Sequence, residues 1–156
     1  MHLRRATVAA AALVLVAFAA APMNMGGSWK LDLDKSKWGK RDKPTSADLN
    51  IEHTEPSIKY HGTIINANAT DRRDFKFEGA IDGKGYPYEG PDGMGTMTIQ
   101  RVNAYVTKWN YRSGDGKVTE EATTTISRDG KVLTRIIRRK APAGEFVWTE
   151  VYEKTS

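Results

Sequence analysis

The chain has 156 residues, of which 24 are lysine or arginine and 19 aspartate or glutamate, giving a formal net charge of +5, and it contains no cysteine. The length suits a single domain, and the lack of cysteine excludes a disulfide framework, thiolate metal sites and a lipid-modified cysteine at a processing site. The basic residues are scattered rather than gathered into a stripe with interleaved aromatics, which argues against nucleic-acid binding.

Arg4 and Arg5 precede an uncharged apolar run from Ala6 to Ala21. Ala17-Phe18-Ala19 and Ala19-Ala20-Ala21 both fit an A-x-A cleavage site, so residues 1–21 read as a signal peptide cut after Ala19 or Ala21. The apolar run is too short to span a bilayer comfortably, and no membrane span is expected after cleavage. The expected location is periplasmic or secreted. Without Arg4 and Arg5 the mature chain carries 22 basic and 19 acidic residues, a net +3. A chain of about 130 residues buries around two-thirds of its unfolded surface, enough for a core without covalent staples.

Residues 22–27 read as a linker and 28–156 as one β-domain. A first strand is expected over Ser28–Leu33. A polar stretch from Asp34 to Pro44 follows without helical periodicity, and Trp38, its one large apolar residue, is expected to plug an end of the core. Period-2 alternation then sets Leu49, Ile51 and His53 on one face, followed by Ile58, Tyr60, Gly62 and Ile64, and by Phe75, Phe77, Gly79 and Ile81. Asn68-Ala69-Thr70 matches a glycosylation sequon, which a bacterial-looking leader makes irrelevant. Asp82-Gly83 turns the chain into Tyr86-Pro87-Tyr88, a piece that its proline should confine to an edge, a bulge or a strand end. Pro91-Asp92-Gly93 is a further turn. Met97, Ile99 and Arg101 alternate next, and then Tyr105, Thr107, Trp109 and Tyr111 share a face. Turns at Ser113–Gly116, Arg128–Gly130 and Ala141–Gly144 separate strands over Lys117–Ser127, Lys131–Lys140 and Glu145–Lys154. Asp-Gly between alternating runs is the strongest short-range hairpin signal. Such short turns join antiparallel neighbours only. The expected fold is therefore all-β: a single antiparallel up-and-down barrel of about eight to ten strands, closed so that no edge is exposed.

Gly27-Ser28-Trp29-Lys30-Leu31 resembles the G-x-W opening of lipocalins and the G-T-W-K-L opening of cytosolic fatty-acid-binding proteins. Thr149-Glu150-Val151-Tyr152-Glu153-Lys154 is similar to the T-R-V-Y-E-R close of the latter. The whole mature chain resembles small exported bacterial lipocalin-like proteins of unassigned function. The resemblance implies a barrel enclosing a cavity for an apolar or amphipathic molecule, with Trp29 as a structural tryptophan closing the bottom. Residues 34–46 are too short to form the helical lid of the fatty-acid-binding proteins. The R-x-Y pair that grips a carboxylate there reads Glu150-Val151-Tyr152 here, which disfavours a simple fatty acid, since two desolvated carboxylates repel.

The candidate ligand-binding residues are Tyr105, Trp109 and Tyr111 on one strand and Trp148, Glu150 and Tyr152 on the last. Parity places Glu150 with Phe146, Trp148 and Tyr152, pointing inward, where a carboxylate is costly unless paired. Arg135 and Arg139 share one side of the preceding strand and Arg138 takes the other; Lys108 and Arg112 are more distant. Pairing would make a neutral polar floor, and its absence would leave Glu150 to take a proton or a cationic ligand. His53 and His61 lack a third ligand beyond Glu52 or Glu55, so no metal is expected and the histidines are expected in solvent. No G-x-S-x-G motif is present, and Glu120 and Glu121 face opposite sides of a strand, so they do not act as a catalytic pair. No catalytic residue or cofactor is assigned. The reading is a monomeric small-molecule binder. An envelope-associated structural or interaction module with a filled barrel is the alternative, and a lyase or isomerase built in the cavity is a third.

Overall fold

The computed structural model describes residues 20–66 and 71–156. The signal-peptide reading falls almost wholly outside the described residues, as does the sequon at 68–70.

Ten strands follow in chain order: β1 (Gly27–Leu31), β2 (Ser46–Thr54), β3 (Ser57–Ile65), β4 (Arg72–Ala80), β5 (Gly85–Gly90), β6 (Gly93–Asn103), β7 (Val106–Ser113), β8 (Thr119–Ile126), β9 (Val132–Ala141) and β10 (Gly144–Lys154). Each pairs antiparallel with its chain neighbour, and β1 pairs with both β2 and β10, so the sheet closes into an up-and-down barrel. The described residues contain no helix. Closure removes every sheet edge. The alternation read from the sequence is the alternation of the wall: Leu49, Ile51, Ile58, Phe75, Phe77, Met97, Ile99, Trp109, Leu133, Ile137 and Trp148 are all buried.

Four hairpins turn on Asp-Gly, at Gly83, Gly93, Gly116 and Gly130, and three of them share one pattern. Gly83, Gly116 and Gly130 hold φ of 78°, 70° and 71°, a left-handed conformation that favours glycine. The preceding aspartates accept backbone N–H bonds from Lys84, Lys117 and Lys131. The last two turns are built alike. Ser113 and Ser127 each donate to the turn aspartate and accept from the N–H of Val118 and Val132. Within the wall, Gly62 stands opposite Phe75, and a Cβ at Gly62 would lie against that ring and 2.6 Å from the Asp48 carbonyl.

Two local readings are corrected. The first strand ends at Leu31, not Leu33, because the Asp32 carboxylate accepts the N–H groups of Asp34 and Lys35, both at 3.0 Å, and bends the chain. The chain then returns to β10, where Lys37 and Thr149 exchange both backbone bonds, at 2.8 and 2.7 Å. Pro87 lies inside β5, between two neighbouring strands, rather than at an edge. It is accommodated because the β4–β5 ladder is short, with Lys76↔Glu89 and Phe77↔Tyr88 as its paired positions, and the residue without an N–H lies just past it.

The two ends of the barrel differ. The lower end carries the β2–β3, β4–β5, β6–β7 and β8–β9 turns, and it is filled. Trp29 is 1% exposed and donates its indole N–H to the Met25 carbonyl at 3.0 Å. The stretch read as a linker crosses this end: Met23 donates to the Ala104 carbonyl, and Met25 is buried and donates to His53 Nδ1 at 3.0 Å. His53 is therefore buried rather than in solvent. Its Nδ1 accepts, so its Nε2 carries the proton and donates to Glu55 at 3.0 Å. Burial, reinforced by the nearby charge of Arg101, holds the His53 pKa below the ordinary histidine value. Arg101 in turn pairs with Glu55. The upper end carries the segment from Asp32 to Thr45, with Trp38 half-buried against the core, and the remaining turns.

Candidate functional site

A cavity of about 670 Å³ occupies the upper half of the barrel. Its walls carry Phe75, Tyr88, Trp109, Tyr111, Phe146 and Trp148, together with six cationic and five acidic side chains. Below it lies an apolar void of about 40 Å³, lined by Leu49, Ile51, Ile58, Ile99 and Leu133 among others. Arg135 and Trp109 line both spaces and form the partition between them. The Arg135 guanidinium lies 5.1 Å from the Trp109 ring centroid, within cation–π range.

The floor of the cavity is built around Glu150, which is 5% exposed. Register sets Glu150 directly across from Arg135, and the inward parity expected for Glu150 holds. Its Oε1 accepts the Trp148 indole N–H at 2.8 Å and one Arg41 N–H at 3.3 Å. Its Oε2 accepts the Tyr152 hydroxyl at 3.2 Å and faces Arg135 Nη1 at 3.4 Å. Of the two outcomes left open for Glu150, the structure takes pairing with arginine. Burial works against the Arg135 charge, but the Glu150 carboxylate beside it holds the guanidinium above the ordinary arginine range. Burial, and next the Glu150 charge, push the Tyr152 phenol well above its usual value. Arg41 also stacks on Trp148, 4.3 Å from the ring centroid.

A second charged group sits nearer the mouth. Arg139 donates twice to Asp92, at 2.6 and 2.7 Å, and once to Glu120 at 2.7 Å. Asp92 is at the tip of the β5–β6 turn, and Glu120 lies across from Arg139 on β8. Burial pushes the Glu120 carboxyl above the ordinary range, although Arg139 pulls it down. On the neighbouring strand Tyr111 is 3% exposed, and its hydroxyl has no hydrogen-bond partner among the described residues. Burial pushes that phenol up to about 12. Tyr88 packs edge-on against Tyr111 at 5.0 Å.

The candidate residues divide accordingly. Trp109, Tyr111, Trp148 and Glu150 line the cavity. Tyr152 is buried beside Glu150 as its hydrogen-bond donor, outside the lining. Tyr105 sits in the β6–β7 turn at the opposite end, half-buried, with Arg128 5.9 Å from its ring. Sequence reasoning missed Arg41 and Asp92, which lie in a loop and a turn where alternation carries no signal. It set Glu120 aside as half of an adjacent pair, although the parity of Ala122, Thr124 and Ile126 places Glu120 inward. Among the described residues no group of three or more histidines, cysteines or carboxylates is arranged to hold a metal ion. No protein-family model and no curated protein matches the chain; its closed ten-stranded up-and-down barrel, with Trp29 packed at the bottom, is consistent with a calycin-like fold.

Proposed function

We propose that this chain is an exported, monomeric, lipocalin-like binder of a small amphipathic molecule, held in the upper half of the barrel. The observation that carries the reading is the 670 Å³ cavity, a size that suits small-molecule sites. Its aromatic walls give apolar contact, and the Glu150–Arg135 pair at the floor and the half-buried Glu120–Arg139 pair supply fixed polar groups that orient a ligand. The alternative, a structural module with a filled barrel, matches only the lower half, where Trp29, Leu133 and Tyr152 are almost wholly buried.

Native mass spectrometry of protein purified from its own host tests the reading. The expected result is an adduct of small-molecule mass that is lost on denaturation, and lost when Trp109 and Trp148 are both replaced by alanine. Protein that carries no adduct, and takes up no fluorescent amphiphile into the barrel, would favour the filled module.

A further inference from the structure

The two charged groups of the cavity are each out of balance, and in opposite directions. At the floor, Arg41 and Arg135 face one carboxylate, Glu150. Both oxygens of Glu150 are already engaged, by three hydrogen-bond donors and the Arg135 ion pair. Among the described residues Arg135 has that single ion pair, at 3.4 Å, and no hydrogen bond to a side chain; its guanidinium, with five N–H groups in all, lines the cavity and lies over the Trp109 ring at the partition. What the floor leaves unspent is donor capacity with a surplus positive charge. At the rim, one arginine faces two carboxylates. Arg139 occupies both oxygens of Asp92 and Oε1 of Glu120. Among the described residues the unspent group there is Oε2 of Glu120, with a surplus negative charge. Tyr111 is the cross-strand neighbour of Glu120 and packs its ring into the same wall. Of the other charges at the mouth, Arg73 is paired with Asp71 at 3.1 Å, and Lys40, Asp42 and Lys43 belong to the loop above the wall.

We infer that the ligand is an elongated bipolar molecule, with an anionic group on Arg135, a cationic group on Glu120 and an apolar body between them. This rests on the small-molecule reading above and names the ligand class. Arg135 and Arg139 are four residues apart on β9, and at the usual strand rise their backbone positions are about 13 Å apart. Ile137, Trp109 and Trp148 line the space between. A molecule with only a negative end would satisfy the floor and leave Glu120 with an unpaired oxygen. One with only a positive end would leave the Arg135 donors unmet. A planar oxyanion suits the arginine fork.

The test is a tryptophan-fluorescence titration with three probes that share one apolar body: ω-aminododecanoate, dodecanoate and dodecylamine, each below its micelle concentration. The ω-amino acid is expected to bind about tenfold tighter than either single-ended probe, the effect of one added charge-assisted contact. Glu120→Gln should erase about that factor for the ω-amino acid and leave dodecanoate unchanged. Arg135→Gln should weaken both carboxylates, and the near-isosteric Glu120→Gln keeps the test decisive if that variant folds poorly. Dodecanoate or dodecylamine binding as tightly as the ω-amino acid overturns the inference, and so does failure of all three to bind. In the second case the adduct seen by native mass spectrometry still judges the small-molecule reading separately.

Discussion

Glu150→Gln separates the charge of the floor from its shape. Glutamine is nearly isosteric and still offers an oxygen to the Trp148 indole, which donates to Glu150 at 2.8 Å. What disappears is the negative charge facing Arg135, whose side chain is only 14% exposed. Removing one partner of a buried ion pair leaves the other charge unpaired, at a cost of about 3–5 kcal/mol. Arg41 is more exposed and can turn toward water, so its lost pair adds little. The total is a fifth or more of the roughly 5–15 kcal/mol that holds a domain folded, and corresponds to a fall in Tm of roughly 10–20 °C. Urea denaturation at pH 7, followed by tryptophan fluorescence, reads the loss as a lower midpoint at unchanged slope. The double replacement Glu150→Leu with Arg135→Met should recover much of it, because removing both charges leaves no buried ion without a partner. A Glu150→Gln variant within about 1 kcal/mol of wild type would refute the reasoning, since it would mean that the floor is wet enough to solvate Arg135 unaided.

Trp29→Ala should cost about 3–5 kcal/mol, because it removes a large, fully buried side chain from the closed end and leaves the Met25 carbonyl without its indole donor; a melt within a few degrees of wild type would show Trp29 to be peripheral. Stability should fall as the pH drops from about 6.5, the ordinary histidine value, toward the lowered pKa of His53. In that window the unfolded chain takes up a proton that folded His53 refuses, and above it the histidine contributes no slope. His53→Gln should flatten this part of the profile, and an identical slope in wild type and variant would place the titration elsewhere. Chelator treatment should leave the thermal transition unchanged, and a loss of many degrees restored by zinc would overturn the metal-free reading.

The wall of the barrel was legible because every strand obeys one rule. Inward and outward residues alternate, so Phe75 and Phe77, Trp109 and Tyr111, or Trp148 and Glu150 could be assigned a face before any register was known. The Asp-Gly turns were legible for a different reason, since a positive φ and a carboxylate acceptor are encoded in two adjacent residues. Alternation fails where the chain stops being a strand. Counting back from Trp109 past the start of β7 gives Tyr105 the same face, but Tyr105 lies in the turn, and a turn has no parity. Arg41 is invisible for the same reason. Its loop has no period, and its reach to Glu150 depends on Lys37 and Thr149 pinning the segment beside β10. Parity also gives a face without a depth, which is why Tyr152 shares the inward face of Glu150 and yet lies outside the cavity lining.

The charges explain why one half of this barrel is open. Ten strands make a lumen too wide to be filled by modest side chains. The lower half solves the problem with bulk: Trp29, Phe77, Leu133 and Tyr152 fill it, and Met25 enters from outside the barrel wall to complete it. The upper half places charged residues at equivalent inward positions. Each finds its partner sideways along the wall, Glu150 with Arg135 across β10 and β9, and Glu120 with Arg139 across β8 and β9. A lateral ion pair satisfies both groups without either having to reach the axis, so the centre stays empty. Replacing these pairs with large apolar residues would fill the space and is often neutral or favourable for stability. The pairs are thus poorly explained as supports of the fold. They fit a lumen kept open, with a guanidinium at the bottom and a carboxylate at the top still short of partners.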